Sequence, residues 1–403
     1  MADKISVAEA LDRIERNISP SVPQRILIDA EAEGLVLAAA VNAAAATPRF
    51  DCSAMDGFAL ASEGTRYATA SEPACLALAD DVPAEASPLA LSAGAAAPIS
   101  TGAPIPEGAD AVVARESCRV AGGMLEVTEA VAAGRHIRRR GEDVPAGGHV
   151  AAAGTPLTPA LIGALLAYGV SDVAVRRPPS IDIIATGSEL TAYACNASLA
   201  RIDSNGPMIA AMCRSLGLRY RLTGPVPDDL RQLCDRFLFP ENTPRADMLI
   251  STGGVSGGAH DHVRQALEAI GARIIFHGVA MRPGKPILFA LLPDGRPFFG
   301  LPGNPVAALV GFRFFVLTAI RRALGLERER GTPVTGVGPA RTGTTLFLRG
   351  RRDDLHGGVE IDADQRSHVL GSVVTSDCWV RLEADRGAPL ALCFDQRPRL
   401  TSR

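Results

Sequence analysis

The residues best placed to do chemistry cluster between Ala246 and Val310, around the segment Ser251-Thr-Gly-Gly-Val-Ser-Gly-Gly-Ala-His-Asp261. A short apolar run, Met248-Leu-Ile250, precedes it, and His262–Ile270 follows with helical spacing at Val263, Leu267 and Ile270. That order predicts a strand, a glycine-rich loop and a helix. Gly253, Gly254, Gly257 and Gly258 let a backbone approach a ligand closely, and a helix N-terminus offers free N–H groups to anionic oxygen. Taken alone, the segment fits an ordinary turn equally well. The next segment, Met281-Arg-Pro-Gly-Lys-Pro-Ile287, places two cations around a proline-stiffened turn. Of 41 basic residues only Lys4 and Lys285 are lysine, and a compact ammonium is not interchangeable with a guanidinium. Phe298–Phe312 then reads as a strand ending in Pro302-Gly-Asn-Pro305, with Asn304 as the cap and Pro305 in the first turn of an apolar helix. In a parallel α/β sheet, loops at the carboxyl ends of strands converge on the ligand site. Two such loops and a cationic turn in one stretch point to a shared oxyanion or phosphate pocket.

Elsewhere the candidates are more scattered. Asp51, Ser53 and Asp56 in Phe50-Asp-Cys-Ser-Ala-Met-Asp-Gly-Phe58 suit either a hairpin turn at Asp56-Gly57 or a polar ligand or hydrated metal ion. Thr101 is the one side chain singled out from the Pro/Gly-rich segment Ser100–Val113. The run Arg138-Arg-Arg-Gly-Glu-Asp143 reads as a solvated charged face. Thr186-Gly-Ser-Glu-Leu190 is another loop at a strand's carboxyl end. Arg349 and Gln365-Arg-Ser-His368 are candidates in the last part of the chain, where surface loops are the competing explanation.

The elements that must position these residues imply several domains, because single cores stop growing near about 250–300 residues and the chain has 403. Residues 1–47 and 145–177 read as a helical linking domain. It would contain an amphipathic helix from the capping box Ser6-Val-Ala-Glu9, a second helix near Ala30–Ala40, a hairpin at Pro145–Gly154 and an apolar helix Thr158–Tyr168 ending at Gly169. Residues 48–144 read as a small β-rich domain, 178–329 as an α/β domain with a mostly parallel sheet, and 330–403 as a barrel-like C-terminal β domain. Within the α/β domain the pattern predicts strands at Ile181–Ala185 and Arg219–Val226, and helices at Ser204–Leu216, Asp228–Phe237 and Val306–Leu324. Net charge is −3, which argues against a protein that binds nucleic acid through its overall charge. The apolar run Val306–Ile320 is broken by Arg313 and too short to span a bilayer, and the start of the chain lacks a signal-peptide pattern. No two of the eight cysteines are closer than Cys378 and Cys393, so a Cys-x-x-Cys knuckle is excluded and a reduced, cytoplasmic protein is expected.

Several motifs, in order, resemble those of the molybdopterin molybdenumtransferases, the MoeA and gephyrin E-domain family. They are Ser53-Ala-Met-Asp-Gly-Phe-Ala59, Thr101–Val113, Arg140-Gly-Glu-Asp143, Thr186-Gly-Ser-Glu-Leu190, Asp203-Ser-Asn205, Gly253–Gly258, Arg282-Pro-Gly-Lys-Pro286 and Gly300-Leu-Pro-Gly-Asn-Pro305. The resemblance covers nearly the whole chain. It implies an elongated multidomain homodimer, with a central MogA-like α/β domain, that inserts molybdenum from molybdate into adenylylated molybdopterin and releases AMP with Mg2+. It also implies transient contact with the molybdopterin adenylyltransferase and with acceptor molybdoenzymes, and no nucleic acid or membrane partner. By resemblance, Asp56, Asp143, Glu189 and Asp261 are the acidic residues of the site, Glu189 and Asp261 being magnesium ligands, and Lys285 acts with them. Thr101, Ser251, Gly253, Gly254, Ser256, Arg282, Pro302, Pro305, Arg349 and Ser367 are expected to bind substrate. Three positions depart from the family pattern: Cys52 stands in place of Asn, Ser188 in place of Asp, and Arg282 where Lys is common. A non-catalytic pterin-binding or scaffold protein on the same fold is the competing expectation.

Overall fold

The computed structural model describes residues 4–79, 90–191, 201–238, 245–255, 262–338, 340–353, 358–383, 389–397 and 400. Its central sheet runs, edge to edge, Tyr220–Val226, Ile181–Thr186, Met248–Thr252, Pro297–Leu301, Leu288–Leu291 and Arg273–His277. The first four strands are mutually parallel, and Leu288–Leu291 is antiparallel to both its neighbours. Ile181–Thr186 and Met248–Thr252 are buried along their whole length, as strands covered on both faces must be. Alternate residues feed two cores. Ile181, Ile183, Met248 and Ile250 pack with the helices Asn205–Ser215 and Pro305–Ala323, while Ile184 and Leu249 pack with Leu230–Leu238 and His262–Ala269.

The predicted helix through Val306–Leu324 is present but not uniform. An α-helical start, Pro305–Val310, and end, Leu317–Ala323, flank a π-helical turn at Gly311–Val316. Arg313 in that turn is buried rather than breaking the element, because its guanidinium meets both carboxylate oxygens of Glu329 at 2.6 and 2.8 Å and the carbonyl of Asp395.

The capping box at Ser6 forms as expected, Glu9 N donating to Ser6 Oγ at 3.1 Å, and the helix Val7–Asn17 buries Val7, Ala10, Leu11 and Ile14 in one of the two α/β cores. The helix expected near Ala30–Ala40 is absent. A single 3-10 turn, Ala30–Ala32, is followed by Gly34 at φ +77°, and Val36–Leu37 becomes a strand beside Asp172–Arg176. Pairing with a distant strand overrides local helix propensity here. Nor is Pro145–Gly154 a self-contained hairpin, since His149–Ala151 pairs with Val41–Asn42. The helix Pro159–Ala167 does form, capped by Thr158 and followed by Gly169 at φ +77°.

Residues 57–127 build a six-stranded sheet in the order Ala111–Ala114, Gly57–Leu60, Ala95–Ile99, Ala74–Leu78, Met124–Val127, Cys118–Ala121. Asp56-Gly57 is not a hairpin turn, because Cys52–Ser53 pairs with Ile137–Arg138 whereas Gly57–Leu60 pairs with two other strands. Gly57 is required there: a Cβ would lie 2.0 Å from the carbonyl oxygen of Val113. In the C-terminal part, Thr345–Asp353, Cys378–Glu383, Leu390–Asp395 and Thr332–Pro333 form a sheet that Met281–Arg282 extends from the α/β domain. Among the described residues no helix is long and apolar enough to cross a membrane.

Candidate active site

Three loops at the carboxyl edge of the central sheet meet. Gly253, at φ +95°, donates its N–H to the Leu301 carbonyl at 3.0 Å, and a Cβ on it would lie 2.4 Å from the Thr186 carbonyl oxygen. Gly254, at φ +64°, would place a Cβ 2.7 Å from Val263 Cγ2. Only glycine lets the loop after Met248–Thr252 lie this close to the loops after Ile181–Thr186 and Pro297–Leu301. Asp203 adds a fourth piece: its Oδ1 accepts from Asn205 N and Gly206 N at 3.0 Å each, opening the helix Asn205–Ser215. The side chain of Asn205 then donates to the Gly303 carbonyl at 2.8 Å.

Along this edge, buried polar atoms stand without hydrogen-bond partners. They are Asn205 Oδ1, Asp228 Oδ1, Ser251 Oγ and Thr252 Oγ1. Leaving such a group unpaired costs about 1–3 kcal/mol, so these atoms are ones that water or a ligand completes, and several gather on this one rim. Asp228 is held facing the Gly187–Glu189 loop, its N–H donating to Ser188 Oγ at 3.0 Å and its Oδ2 accepting from Ser188 N at 3.4 Å. A carboxylate therefore stands beside the position where this chain carries serine. Glu189 is exposed on the same loop.

The cationic turn is tied to this edge. Arg282–Pro283 is a cis peptide, and Gly284, at φ +99°, would place a Cβ 3.6 Å from the carbonyl oxygen of Ala307 in the helix that starts at Pro305. Arg282 and Lys285 are both exposed. Asn304, expected as the helix cap, makes no side-chain capping bond; its Nδ2 instead donates to Ser367 Oγ at 3.2 Å, while Val306 N donates to the Ser367 carbonyl. Two hydrogen bonds thus bring Ser367 of the C-terminal domain to the Pro302–Pro305 turn. A cavity of about 560 Å³ beside it is lined by Arg282, Arg341, Phe347, Asp364 and Arg366, among others. Arg349, expected to line the oxyanion pocket, is only 1% exposed. Its guanidinium donates to the carbonyls of Asp364 at 2.6 Å and Arg366 at 3.4 Å, so it holds the 364–367 loop from beneath. Desolvation by burial lowers its pKa.

Asp56 and Thr101 meet in the small β domain, Asp56 Oδ1 accepting from Thr101 N at 2.7 Å and from Thr101 Oγ1 at 2.9 Å. These two bonds hold the Asp56 carboxyl below its ordinary range. Asp143 lies where this domain meets the linking segment: its N–H donates to the Thr47 carbonyl, and its carboxylate accepts from the Tyr168 hydroxyl, raising the tyrosine's pKa. Arg138-Arg-Arg140 is not merely a solvated run, because Arg139 Nη1 and Arg140 N both bond Asp51, at 2.7 and 2.8 Å. Cys52 is buried, which raises its pKa. Ser256 and Asp261 lie outside the described residues. Among the described residues no group of three His, Cys, Asp or Glu side chains is arranged to hold a metal ion.

Sequence reasoning passed over Asp228 and Thr252. The signal was available for Asp228, which directly follows a parallel strand in Val226-Pro-Asp-Asp229, the same relation that selected the other loops.

Residues 5–169 match the family described as "MoeA N-terminal region (domain I and II)", and residues 182–322 match "Probable molybdopterin binding domain". The chain is 39% identical to a Mycobacterium tuberculosis (strain ATCC 25618 / H37Rv) protein named molybdopterin molybdenumtransferase 2, over 84% of this chain and 86% of that one. It is 34% identical to the molybdopterin molybdenumtransferase of Synechococcus elongatus (strain ATCC 33912 / PCC 7942 / FACHB-805), over 84% and 85%. Its fold is similar to the crystal structure of the molybdopterin biosynthesis moeA protein from Pyrococcus horikoshii OT3, with TM-score 0.78 and 25% identity over 97% of this chain and all of that one. Identity of this level over most of both chains, with the eight motifs in order, makes this chain a member of the molybdopterin molybdenumtransferase (MoeA) family.

Proposed function

We propose that this protein inserts molybdenum from molybdate into adenylylated molybdopterin and releases AMP in a magnesium-dependent step. The observation that carries this reading is the carboxyl edge of the central sheet. Buried oxygen atoms without partners line glycine-rich loops there, and the turn with Arg282 and Lys285 packs against the helix that opens from them. Such an edge suits a ligand rich in phosphate and polar groups, and the exposed cations suit a tetrahedral oxyanion next to it. The chemistry asks mainly for positioning of two anionic substrates.

Backbone N–H groups and Ser251 in the glycine loop, with Gly253, Gly254 and Ser256, bind the adenylylated pterin in this reading. Lys285, Arg282 and the Pro302–Pro305 turn hold molybdate, with Ser367 added through its bond to Asn304. Magnesium takes oxygen donors and is usually completed by water and substrate phosphate, so one or two carboxylates suffice. Glu189 and Asp228 are donors of that kind, and Asp261 is carried by the family resemblance. When bound, magnesium would neutralise the phosphate charge during adenylate cleavage. Asp56, kept ionised by Thr101, and Asp143 orient water or substrate. Among the described residues their hydrogen-bond partners lie between residues 47 and 168, and in this reading a homodimer brings Asp56 and Thr101 of one subunit to the α/β loops of the other.

The test is AMP release from adenylylated molybdopterin by the purified protein. We expect release that needs both molybdate and Mg2+. Tight binding of the adenylylated pterin without release would overturn the enzyme and leave a binding protein. A monomer by light scattering at micromolar concentration would remove the shared cleft.

A further inference from the structure

The two lysines of this chain, far apart in sequence, meet in space. Lys4 and Lys285 are both exposed and flank Gly278, close enough for the Lys285 side chain to lower the pKa of Lys4. The meeting is built by the backbone. Ile5 bridges to Val279, Ala280 N donates to the Ile5 carbonyl at 2.8 Å, and Ser6 caps the helix that begins at Val7. The segment carrying Lys4 is therefore fastened to the loop that carries Lys285, whose own carbonyl accepts from Val279 N at 2.9 Å. Gly278, at φ +94°, has no side chain to intervene: a Cβ there would lie 3.8 Å from both Lys4 Cγ and the Lys285 carbonyl oxygen.

Two ammonium groups held close repel each other, and the neighbouring Lys285 side chain lowers the pKa of Lys4. Among the described residues neither lysine has a carboxylate in ion-pair range. A dianion between them turns the repulsion into two charge-assisted hydrogen-bonding contacts. The chain otherwise uses arginine for its basic residues, so both positions of this pair carry the compact three-donor head that suits a small tetrahedral ion rather than a planar fork.

We propose that Lys4 is a second oxyanion-binding cation of the site, and that Lys4 and Lys285 together hold one tetrahedral dianion. The assignment rests on the reading of Lys285 as the molybdate-binding residue and extends it to a residue at the other end of the chain.

The experiment measures AMP release against molybdate concentration for wild type, Lys4→Ala and Lys4→Arg, alongside calorimetric titration of each with tungstate as a tetrahedral probe. Loss of one charge-assisted contact at an exposed site predicts a KM for molybdate raised about tenfold in Lys4→Ala, with kcat nearly unchanged. Lys4→Arg, which keeps the charge, recovers part of the loss. The tungstate Kd weakens in parallel. An unchanged molybdate dependence in Lys4→Ala, where Lys285→Ala is impaired, overturns the assignment and leaves the proposed function standing. If wild type releases no AMP, the proposed function fails and the titration still decides Lys4. Weaker tungstate binding in Lys4→Ala supports the assignment; equal binding, or none in wild type, overturns it.

Discussion

Two regions of this molecule gather many polar groups, and they differ in how they satisfy them: one pairs its charges, the other leaves a row of oxygens open. At the junction of the helix Val7–Asn17, the helix ending at Ala323 and the C-terminal sheet, most of the arginines are closed by partners, although Trp379 Nε1 and Arg381 Nε are left without a hydrogen-bond partner among the described residues. Arg313 meets Glu329 through two bonds, Arg321 donates to the carbonyls of Glu327 and Leu400, and Arg328 reaches both Asp12 and Glu15. The carboxyl edge of the central sheet instead leaves Asn205, Asp228, Ser251 and Thr252 with unpartnered oxygens. The junction also holds the larger cavity, about 790 Å³, lined by Arg16, Arg322 and Arg381 with Asp12 and Glu15. Volume alone would select the junction. Unsatisfied polar atoms beside positive-φ glycines identify the better candidate, because a fold tolerates that cost where a ligand repays it.

The contrast makes predictions of opposite sign. Glu329→Ala leaves the buried Arg313 charge without its carboxylate and should cost about 3–5 kcal/mol of stability. Chemical denaturation reads the loss, and AMP release per folded molecule should stay near wild type. Lys285→Ala reverses the pattern: stability is kept, and AMP release falls about 100- to 1000-fold, the range for removing one oriented donor from a charge-stabilising site. Smaller still is Thr252→Val. Removing a hydroxyl that has no partner should change stability by less than about 1 kcal/mol, or raise it, while weakening affinity for the adenylylated pterin. A clear destabilisation by this substitution would contradict the ligand-site reading of the edge.

The smallest effect concerns pH. Thr101 holds the Asp56 carboxyl below its ordinary range, so Asp56 stays ionised further into acid than a free aspartate. Thr101→Val removes the hydroxyl donor and keeps the backbone one, so the Asp56 pKa rises. The acid limb of the rate profile should then move to higher pH, whereas an acid limb that stays in place would separate Asp56 from the rate.

Much of the α/β domain was legible because its signals are local. Fully buried, largely apolar strands such as Ile181–Thr186 alternate with periodic helices, and each of the four parallel strands is followed by Gly or Pro. The loops that gather at the sheet edge follow from that order and the rule for parallel sheets. What escaped depends on distant partners. Val36–Leu37 becomes a strand only through Asp172–Arg176, and Arg313 is tolerated in an apolar helix only through Glu329 and Asp395. Arg349 looks like a surface ligand in sequence, yet it is the buried support of a loop that begins more than a dozen residues later. Asn304 gives up the capping role its type predicts because Ser367 lies within reach. The meeting of Lys4 with Lys285 is likewise invisible until the first segment is laid against Val279.

The unpartnered edge, not the larger arginine-lined cavity, is the proposed place of the substrate. Equilibrium titration of adenylylated molybdopterin into wild type, Ser251→Ala, Asp228→Asn and Arg322→Ala tests it most directly. Weaker binding in the first two variants and unchanged binding in Arg322→Ala is the predicted result. Wild-type affinity in Ser251→Ala and Asp228→Asn, with a loss in Arg322→Ala, would contradict the claim and move the substrate to the arginine-rich junction.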